Sequence, residues 1–142
     1  MTARPIDAGL MELSPAGIRL LGCRCADCGE TDFPARDSCR RCGGDRIDPV
    51  RLGTRGTLWS WTVQRFPPPS PPYVPRTGEF SAFGVGYVEL PGEVIVESVL
   101  TTADAATLRI GMPMRLTTVE VLTHCGERTT GFAFEPLPEG VR

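Results

Sequence analysis

The sequence predicts a mostly β protein: a small N-terminal ribbon held by four cysteines, followed by a closed barrel of five strands. Two Cys-x-x-Cys pairs lie close together in the first third of the chain. After residue 56, short segments follow one another in which apolar residues either alternate with polar ones or run together. One segment between the third and the fourth of these has the pattern of a short helix. These three observations together predict the fold class.

The two cysteine pairs have the spacing of a single tetrahedral metal site. The pairs are Cys25 with Cys28 and Cys39 with Cys42, and a glycine follows each pair. A Cys-x-x-Cys turn brings two thiolates to about 2.3 Å from one ion, and the amides after the turn can donate to the sulfurs. The glycine allows the positive φ with which the chain turns away. We therefore expect a zinc ribbon over residues 18–50.

The cysteine pattern is also compatible with two alternatives to zinc. Iron can be held by four thiolates, and the same residues could form two disulfides or remain free buried thiols. Paired turns at this spacing favour the metal. A zinc ion with four thiolate ligands has no open position for water, so we expect its role to be structural.

The N-terminal residues 1–17 are expected to form an arm that ends in a hairpin leading into the ribbon. Apolar segments at residues 10–13 and 18–22 flank the turn signal Ser14-Pro15-Ala16-Gly17. Cys23 lies two residues before the first metal ligand. A fifth ligand would be redundant, so we interpret Cys23 as a strand residue.

The barrel is expected over residues 51–137, with a tail at 138–142. In the first strand, alternation predicts that Trp59, Trp61 and Val63 share one face. In the second strand, Gly84 and Gly86 indicate a bend or a close approach of backbones. The predicted strands are 57–63, 81–90, 94–100, 114–122 and 129–135, with one or two helical turns over 104–110. Five strands with a short helix between strands three and four is the order of an OB-fold.

A proline-rich interruption separates the first two barrel strands. Residues 67–75 contain six prolines, which favour extended polyproline geometry and cannot pair in a sheet. A stiff loop exposed to solvent would account for this segment. The functional interpretation is a preordered arm that docks on a partner, with Phe66 and Tyr73 as anchors.

The charge of the chain argues against binding to a nucleic-acid polymer. All 15 basic residues are arginine, the net charge is −2, and residues 57–142 carry six arginines against nine acids. A basic stripe along one face is what phosphate-backbone binding requires. The chain also has no run of 18 apolar residues and no apolar signal core at its N-terminus. We expect a protein of the reducing cytoplasm that does not span a membrane.

Intrinsic catalysis is not expected. His124 is the only histidine, and Cys125 is its direct neighbour, so the two side chains point apart on an extended strand. Catalytic pairs normally come from separate segments. The acids show no pairing in the sequence; they are Glu89, Glu93, Glu97, Glu120, Glu127 and Glu135.

An ordered set of motifs resembles a known family. The set is the two Cys-x-x-Cys-Gly turns with Phe33-Pro34-Ala35-Arg36 between them, then residues 56–63, 108–114 and 132–136. It is similar to the small acyl-CoA-associated OB-fold proteins with a rubredoxin-like zinc ribbon, catalogued as a domain of unknown function. The resemblance covers roughly residues 18–136.

The resemblance implies a non-catalytic subunit that stabilises a thiolase-superfamily enzyme and helps form its acyl-CoA entrance, in a heterotetramer. Thiolases, acyltransferases and aldolases of steroid or fatty-acyl side chains are the implied partners. Phe33 and Pro34, together with the proline-rich loop, are the segments we expect at that interface. Arg36, Arg40 and Arg41 could contact CoA phosphates, because guanidinium groups bind phosphate with two hydrogen bonds.

The alternative is a module that binds single-stranded nucleic acid. Both zinc ribbons and OB-folds occur in such modules, and Trp59, Trp61, Phe83 and Tyr87 could stack on bases. The absence of lysine and the acidic barrel half disfavour it. Binding to an oligonucleotide that weakens with salt would distinguish this alternative from the accessory subunit.

Overall fold

The structure is a computed structural model that describes residue 5 and residues 7–66, 81–122 and 126–138. This part of the chain contains nine strands. They are β1 Met11–Ser14, β2 Gly17–Cys25, β3 Thr31–Asp32, β4 Ile47–Arg51, β5 Arg55–Gln64, β6 Phe83–Glu89, β7 Ile95–Leu100, β8 Pro113–Leu122 and β9 Arg128–Pro136. The first four build the ribbon, and the last five build a barrel.

Strand β2 is the centre of the ribbon. Its first half pairs with β1 through a tight turn that joins Ser14 to Gly17, which confirms the predicted hairpin. Its second half pairs with both β3 and β4, and all three pairings are antiparallel. Cys23 lies opposite Asp32 in β3 and Pro49 in β4, so its interpretation as a strand residue is also confirmed.

Strands β5 to β9 close into a five-stranded barrel, as the sequence predicts, and they pair in the order β5-β6-β7-β9-β8. Strand β8 returns to pair with β5 between Arg55 and Thr57, and this pairing closes the barrel. Strands β7 and β9 run parallel, while the other neighbours are antiparallel. A closed barrel leaves no unpaired edge to template aggregation.

Two glycines of β6 allow this closure. A Cβ on Gly84 would lie 2.3 Å from the carbonyl oxygen of Thr102, and one on Gly86 would lie 2.9 Å from Cδ1 of Leu58. Real Cβ atoms do not come that close to other atoms. The predicted close approach of backbones at these two positions is confirmed.

The short helix expected at residues 104–110 does not form in the described structure. A single turn is present, in which the carboxylate of Asp104 accepts hydrogen bonds from the Ala106 amide and the Thr107 hydroxyl, both at 2.9 Å. The amide of Gly111 donates to the carbonyl of Leu58 at 2.7 Å, so the chain is already hydrogen-bonded to barrel strand β5 at that point. Too few residues remain to repay helix nucleation. Among the described residues, no helix has the length and apolar character needed to cross a membrane.

A β-bulge in β5 separates the two tryptophans that alternation places on one face. The register of β5 against β6 shifts between Leu58 and Ser60, which leaves Trp59 as the extra residue. Trp59 is 55% exposed, whereas Trp61 is partly buried against the core. The prediction of a shared face is wrong because one inserted residue changes the alternation.

One hydrophobic core runs through both parts of the chain. Met11 and Leu20 from the ribbon strands and Leu52 from the connection belong to the same cluster as Leu58 and Phe134 of the barrel, and all five side chains are almost fully buried. The amide of Gly53 also donates to Oε1 of Glu93 at 2.7 Å, which joins the connection to the β6–β7 turn. The ribbon and the barrel are therefore packed against each other rather than joined only by a linker.

Candidate functional site

The four predicted metal ligands lie together at one end of the ribbon. Cys25 ends β2, Cys28 follows in a turn, and Cys39 and Cys42 come from the segment between β3 and β4. Their Sγ atoms all lie within 4.8 Å of one another. The Sγ atoms of Cys25 and Cys42 are 3.6 Å apart, and those of Cys28 and Cys39 are 3.5 Å apart. Four thiolates at about 2.3 Å from a tetrahedral ion would be about 3.8 Å apart, so the donor set fits such an ion.

Backbone geometry around the sulfurs follows the expected pattern. Gly29 and Gly43 have φ of 80° and 75°, which places both in the left-handed region that glycine favours. The amides of Arg41 and Cys42 donate to Cys39 Sγ at 3.3 and 3.5 Å, and the amide of Gly44 donates to Cys42 Sγ at 3.4 Å. Such bonds stabilise negative charge on the ligands.

The surroundings of Cys39 and Cys28 shift the pKa values of the two thiols in opposite directions. Hydrogen bonds from the backbone of Cys42 and Arg41 lower the pKa of Cys39 to about 7, against the opposing effect of burial. At Cys28 the amide of Glu30 acts in the same direction, but burial and the neighbouring thiols outweigh it and raise the pKa to about 12. Cys39 therefore ionises more readily than Cys28, and a bound cation would have to displace the proton of Cys28.

An ion pair joins the first cysteine turn to the segment between the second cysteine turn and β4. Arg46 Nε donates to Asp27 Oδ1 at 2.9 Å, and the guanidinium lowers the pKa of the Asp27 carboxyl. Gly44 lies directly beside this pair, because a Cβ there would be 2.7 Å from Asp27 Oδ2. The ion pair and the close approach of Gly44 hold the two halves of the cysteine cluster together.

Cys23 is outside the four-sulfur cluster. It is buried, and its Sγ accepts a hydrogen bond from the amide of Arg36 at 3.4 Å. This contact fixes the loop after β3 against β2. Cys23 therefore belongs to the framework of the ribbon rather than to the four-sulfur cluster.

The three arginines predicted to contact CoA phosphates lie on the ribbon surface beside the cysteines. Nε of Arg36 and Nε of Arg40 lie 3.7 and 3.5 Å from Oδ2 of Asp32, and Nη2 of Arg40 lies 3.6 Å from Oε2 of Glu30. Arg41 is exposed, and the structure shows it no ion pair with a described residue. Two of the three cations are thus already balanced by carboxylates.

The four residues predicted at a partner interface lie in different environments. Phe33 packs edge-on against Phe132, with ring centroids 6.0 Å apart, and Pro34 beside it is joined to it by a cis peptide bond. Phe66 is 75% exposed. Tyr73 and the proline-rich segment 67–75 lie outside the described residues.

Three of the acids weighed for catalysis have other partners in the described structure. His124 and Cys125 lie outside the described residues. Glu93 accepts the Gly53 amide, and Glu135 and Glu120 form ion pairs with arginines along the barrel. Within the described ranges, the four cysteines are the one group of side chains that could hold a metal ion.

A cleft between the ribbon and the β6–β7 turn has no counterpart in the sequence-based predictions. It has a volume of about 490 Å³, and Asp32, Phe33 and Arg40 line it from the ribbon while residues 89–95 contribute most of the opposite wall. Oδ2 of Asp32 is buried without a hydrogen-bond partner in the described structure. No sequence signal identifies this cleft, because it forms only where two distant segments meet.

Comparison with known proteins identifies both parts of the chain. The family model of the ChsH2 rubredoxin-like zinc ribbon domain matches residues 17–48. The model of the ChsH2 C-terminal OB-fold domain matches residues 49–119. The two models follow each other without a gap, in the order that the fold shows.

Two curated relatives and one solved structure extend this match. The chain is 26% identical over 121 residues to a DUF35 domain-containing scaffold protein of Pyrococcus furiosus, which covers 84% of each protein. It is 33% identical over 72 residues to the benzoylsuccinyl-CoA thiolase subunit BbsA of Thauera aromatica. That match covers 51% of this chain and 44% of BbsA, so it spans less than half of that relative.

The solved structure is a chain of the Ltp2-ChsH2(DUF35) aldolase. It superposes with a TM-score of 0.60 at 26% identity, covering 83% of this chain and 84% of that chain. The fold, the cysteine cluster and both domain models agree. The chain therefore belongs to the ChsH2 family, in which a rubredoxin-like zinc ribbon precedes a C-terminal OB-fold domain.

Proposed function

We propose that this protein is a non-catalytic accessory subunit that binds and stabilises a thiolase-superfamily enzyme acting on acyl-CoA thioesters. The observation that carries the proposal is similarity over most of the chain to a scaffold protein and to one chain of an aldolase assembly. A named thiolase subunit among the relatives supports the same class of partner. The partner's reaction could be that of a thiolase, an acyltransferase or an aldolase of steroid or fatty-acyl side chains.

The metal proposed for the cysteine cluster is Zn²⁺ in a structural role. All four positions of a tetrahedral ion would be filled by thiolates, which leaves no position for water or substrate. Iron is the alternative for the same donor set. Elemental analysis of the purified protein distinguishes them: we expect one zinc per chain and a colourless protein. A coloured protein with one iron per chain would overturn the choice of zinc. A reducing cytoplasm, where we place the protein, keeps such thiols available.

The acyl-CoA is proposed to bind at a site shared with the partner rather than in this chain alone. Arg36, Arg40 and Arg41 flank the cysteine cluster and are candidates for contacts with CoA phosphates. Because Asp32 and Glu30 already balance Arg36 and Arg40, we expect Arg41 to contribute most. In the assembled complex, Arg41→Ala should raise the KM for acyl-CoA, while the conservative Arg41→Lys should raise it less. An unchanged KM in both variants would remove this contact.

The accessory role is tested by co-expression with the thiolase-like protein encoded nearest to this chain's gene. We expect one peak in size-exclusion chromatography with light scattering, of the mass of a heterotetramer, and enzyme activity that disappears when this chain is omitted. The isolated chain should not turn over acyl-CoA thioesters. Two separate peaks together with undiminished activity would overturn the proposal.

The proline-rich loop has a separate test. Deletion of residues 67–75 should leave the melting temperature of the barrel nearly unchanged and weaken association with the partner, if the loop is a docking arm. Phe66→Ala probes one of its predicted anchors next to the described strand. If the deletion variant associates with the partner as strongly as the wild type, the segment is a solvent-exposed connection and not a docking arm.

A further inference from the structure

The barrel presents a row of large apolar side chains to solvent on one side. Six large hydrophobic residues of the described chain are markedly exposed, and all but Phe66 lie on or beside the outer surface of β5, β6 and β7. These five define the exposed apolar face: Trp59, Tyr87, Ile95, Val99 and Ile110. Such a concentration, as opposed to scattered single residues, marks an interaction surface.

Local geometry explains why these side chains point outward together. The bulge in β5 turns Trp59 out of the barrel, where its ring meets Tyr87 edge-on at 6.3 Å between centroids. On the other side of Trp59, the amide of Gly111 is bonded to the Leu58 carbonyl, which places Ile110 on the neighbouring segment. Ile110 is 73% exposed. The face therefore continues from the 101–112 connection across β5 to β6.

Strand β7 extends the face and adds negative charge. Tyr87 lies opposite Glu97, and Ile95 lies opposite Glu89, so each glutamate is directly across from an apolar residue. Residues 83–100, which contain both strands and their turn, include three glutamates and no basic residue. Neither Glu89 nor Glu97 forms an ion pair with a described residue.

The combination of exposed apolar side chains and glutamates favours one class of binding partner over the others. A second copy of the chain, bound symmetrically, would bring the glutamates of one face against those of the other, which is unfavourable. Nucleic acid would meet the same carboxylates with its phosphates. A protein surface with an apolar centre and arginine or lysine between its apolar side chains is complementary to the face.

We propose that the exposed apolar face is the docking surface for the partner subunit, which meets it with apolar side chains flanked by basic residues. This inference rests on the proposed accessory role and locates the interface that the role requires. Aromatic residues in the centre of an interface carry most of its binding energy, so Trp59 and Tyr87 are its anchors. Glu97 contributes mainly to the rate and specificity of association.

The test measures the affinity of the co-expressed thiolase-like subunit for purified variants. The double variant Trp59→Thr/Tyr87→Thr removes the anchors and keeps residues that favour strands. We expect it to bind roughly ten-fold or more weakly, while its melting curve stays close to that of the wild type. Glu97→Arg should slow association and weaken the salt dependence of the association rate, because it reduces the negative charge of residues 83–100 from −3 to −1. Glu120→Arg, a charge reversal on β8 away from the face, is the control and should change the affinity less than about two-fold.

A second measurement does not depend on the folding of variants. Amide hydrogen exchange of the wild-type chain, alone and in the complex, should show protection of residues 83–100 on binding. The assignment of the interface to this face would be overturned if the wild type bound without this protection, or if the double variant bound with the affinity of the wild type. The accessory role would remain intact in both cases. Failure of the wild type to bind would overturn both. The isolated chain could instead form a dimer or bind a single-stranded oligonucleotide in a salt-sensitive way. If the double variant abolished either interaction, the face would be assigned to a second copy of the chain or to nucleic acid.

Discussion

Phe33, from the segment between the two cysteine pairs, lies edge-on against Phe132 of the last barrel strand, at 6.0 Å and 81° between the rings. The contact joins the ribbon to the barrel through side chains almost a hundred positions apart in the sequence. Phe33 also lines the cleft between the ribbon and the β6–β7 turn, so the aromatic contact supports the ribbon wall of that cleft. The ribbon is therefore coupled to the barrel through this aromatic contact.

Truncation of Phe33 should destabilise the whole protein. Phe33→Ala removes a half-buried ring and its aromatic contact, and we expect a loss of about 1–2 kcal/mol in the free energy of unfolding. Urea denaturation measures it. The matched control is Phe66→Ala, where a ring that is 75% exposed is removed and the change should stay below about 0.5 kcal/mol. Equal effects of the two substitutions would show that Phe33 does not couple the ribbon to the barrel.

Loss of one metal ligand should abolish the folding of the ribbon. Cys28→Ser leaves three thiolates and removes most of the affinity for zinc, and binding of a structural zinc is coupled to folding. We expect far less than one zinc per chain and a lower melting temperature. Cys23→Ala is the control, because Cys23 is a buried cysteine outside the four-sulfur cluster and should keep full zinc. Full zinc and an unchanged melting curve in Cys28→Ser would contradict the assignment.

A methyl group at Gly84 should strain the barrel. Because its Cβ would lie 2.3 Å from the Thr102 carbonyl, which is backbone, the strands must move apart. We expect Gly84→Ala to cost at least about 1–3 kcal/mol, the range for overpacked sites. Gly9→Ala is the comparison: its Cβ would meet only the flexible side chain of Asp7, at 3.2 Å. Thermal melting that places both variants at the wild-type midpoint would disprove the close approach.

Acidification should remove the stabilisation supplied by Asp104. Hydrogen bonds from the Ala106 amide and the Thr107 hydroxyl lower the pKa of Asp104 below its ordinary value of 3.8. A lowered pKa in the folded state means that the stabilisation is complete above pH 3.8 and disappears as the pH falls through the folded value. The free energy of unfolding of the wild type should therefore exceed that of Asp104→Asn at pH 7, and the difference should vanish in acid. A difference that is independent of pH would assign the effect to packing instead of charge.

The parts of the structure that the sequence predicts well are those set by neighbouring residues. Cys25, Cys28 and Gly29 form a turn whose geometry depends on a few adjacent positions, so its spacing alone identifies the four-cysteine cluster. The barrel strands follow from alternation in the same way, and their bounds agree within a few residues. Gly84 and Gly86 could be recognised because two glycines on one strand face have few other uses.

The remaining features depend on residues that are distant in the sequence. The bulge at Trp59 arises from the register of β5 against β6, and no pattern within β5 marks it. The helix at 104–110 is prevented by the hydrogen bond from Gly111 to Leu58, which is a contact across the barrel. The cleft acquires its walls only when the ribbon packs on the β6–β7 turn. For such features, tertiary contacts override local preference.

The bulge in β5 also gives the protein two optical reporters of different character. Trp59 and Trp61 are the two tryptophans of the chain, and the inserted residue leaves the first 55% exposed and the second partly buried against the core. The fluorescence emission therefore contains one component that iodide can quench and one that it reaches poorly. Docking at Trp59 would shift the first component to shorter wavelength, whereas loosening of the core would shift the second to longer wavelength. Emission spectra recorded with and without iodide can thus separate assembly from unfolding without any label.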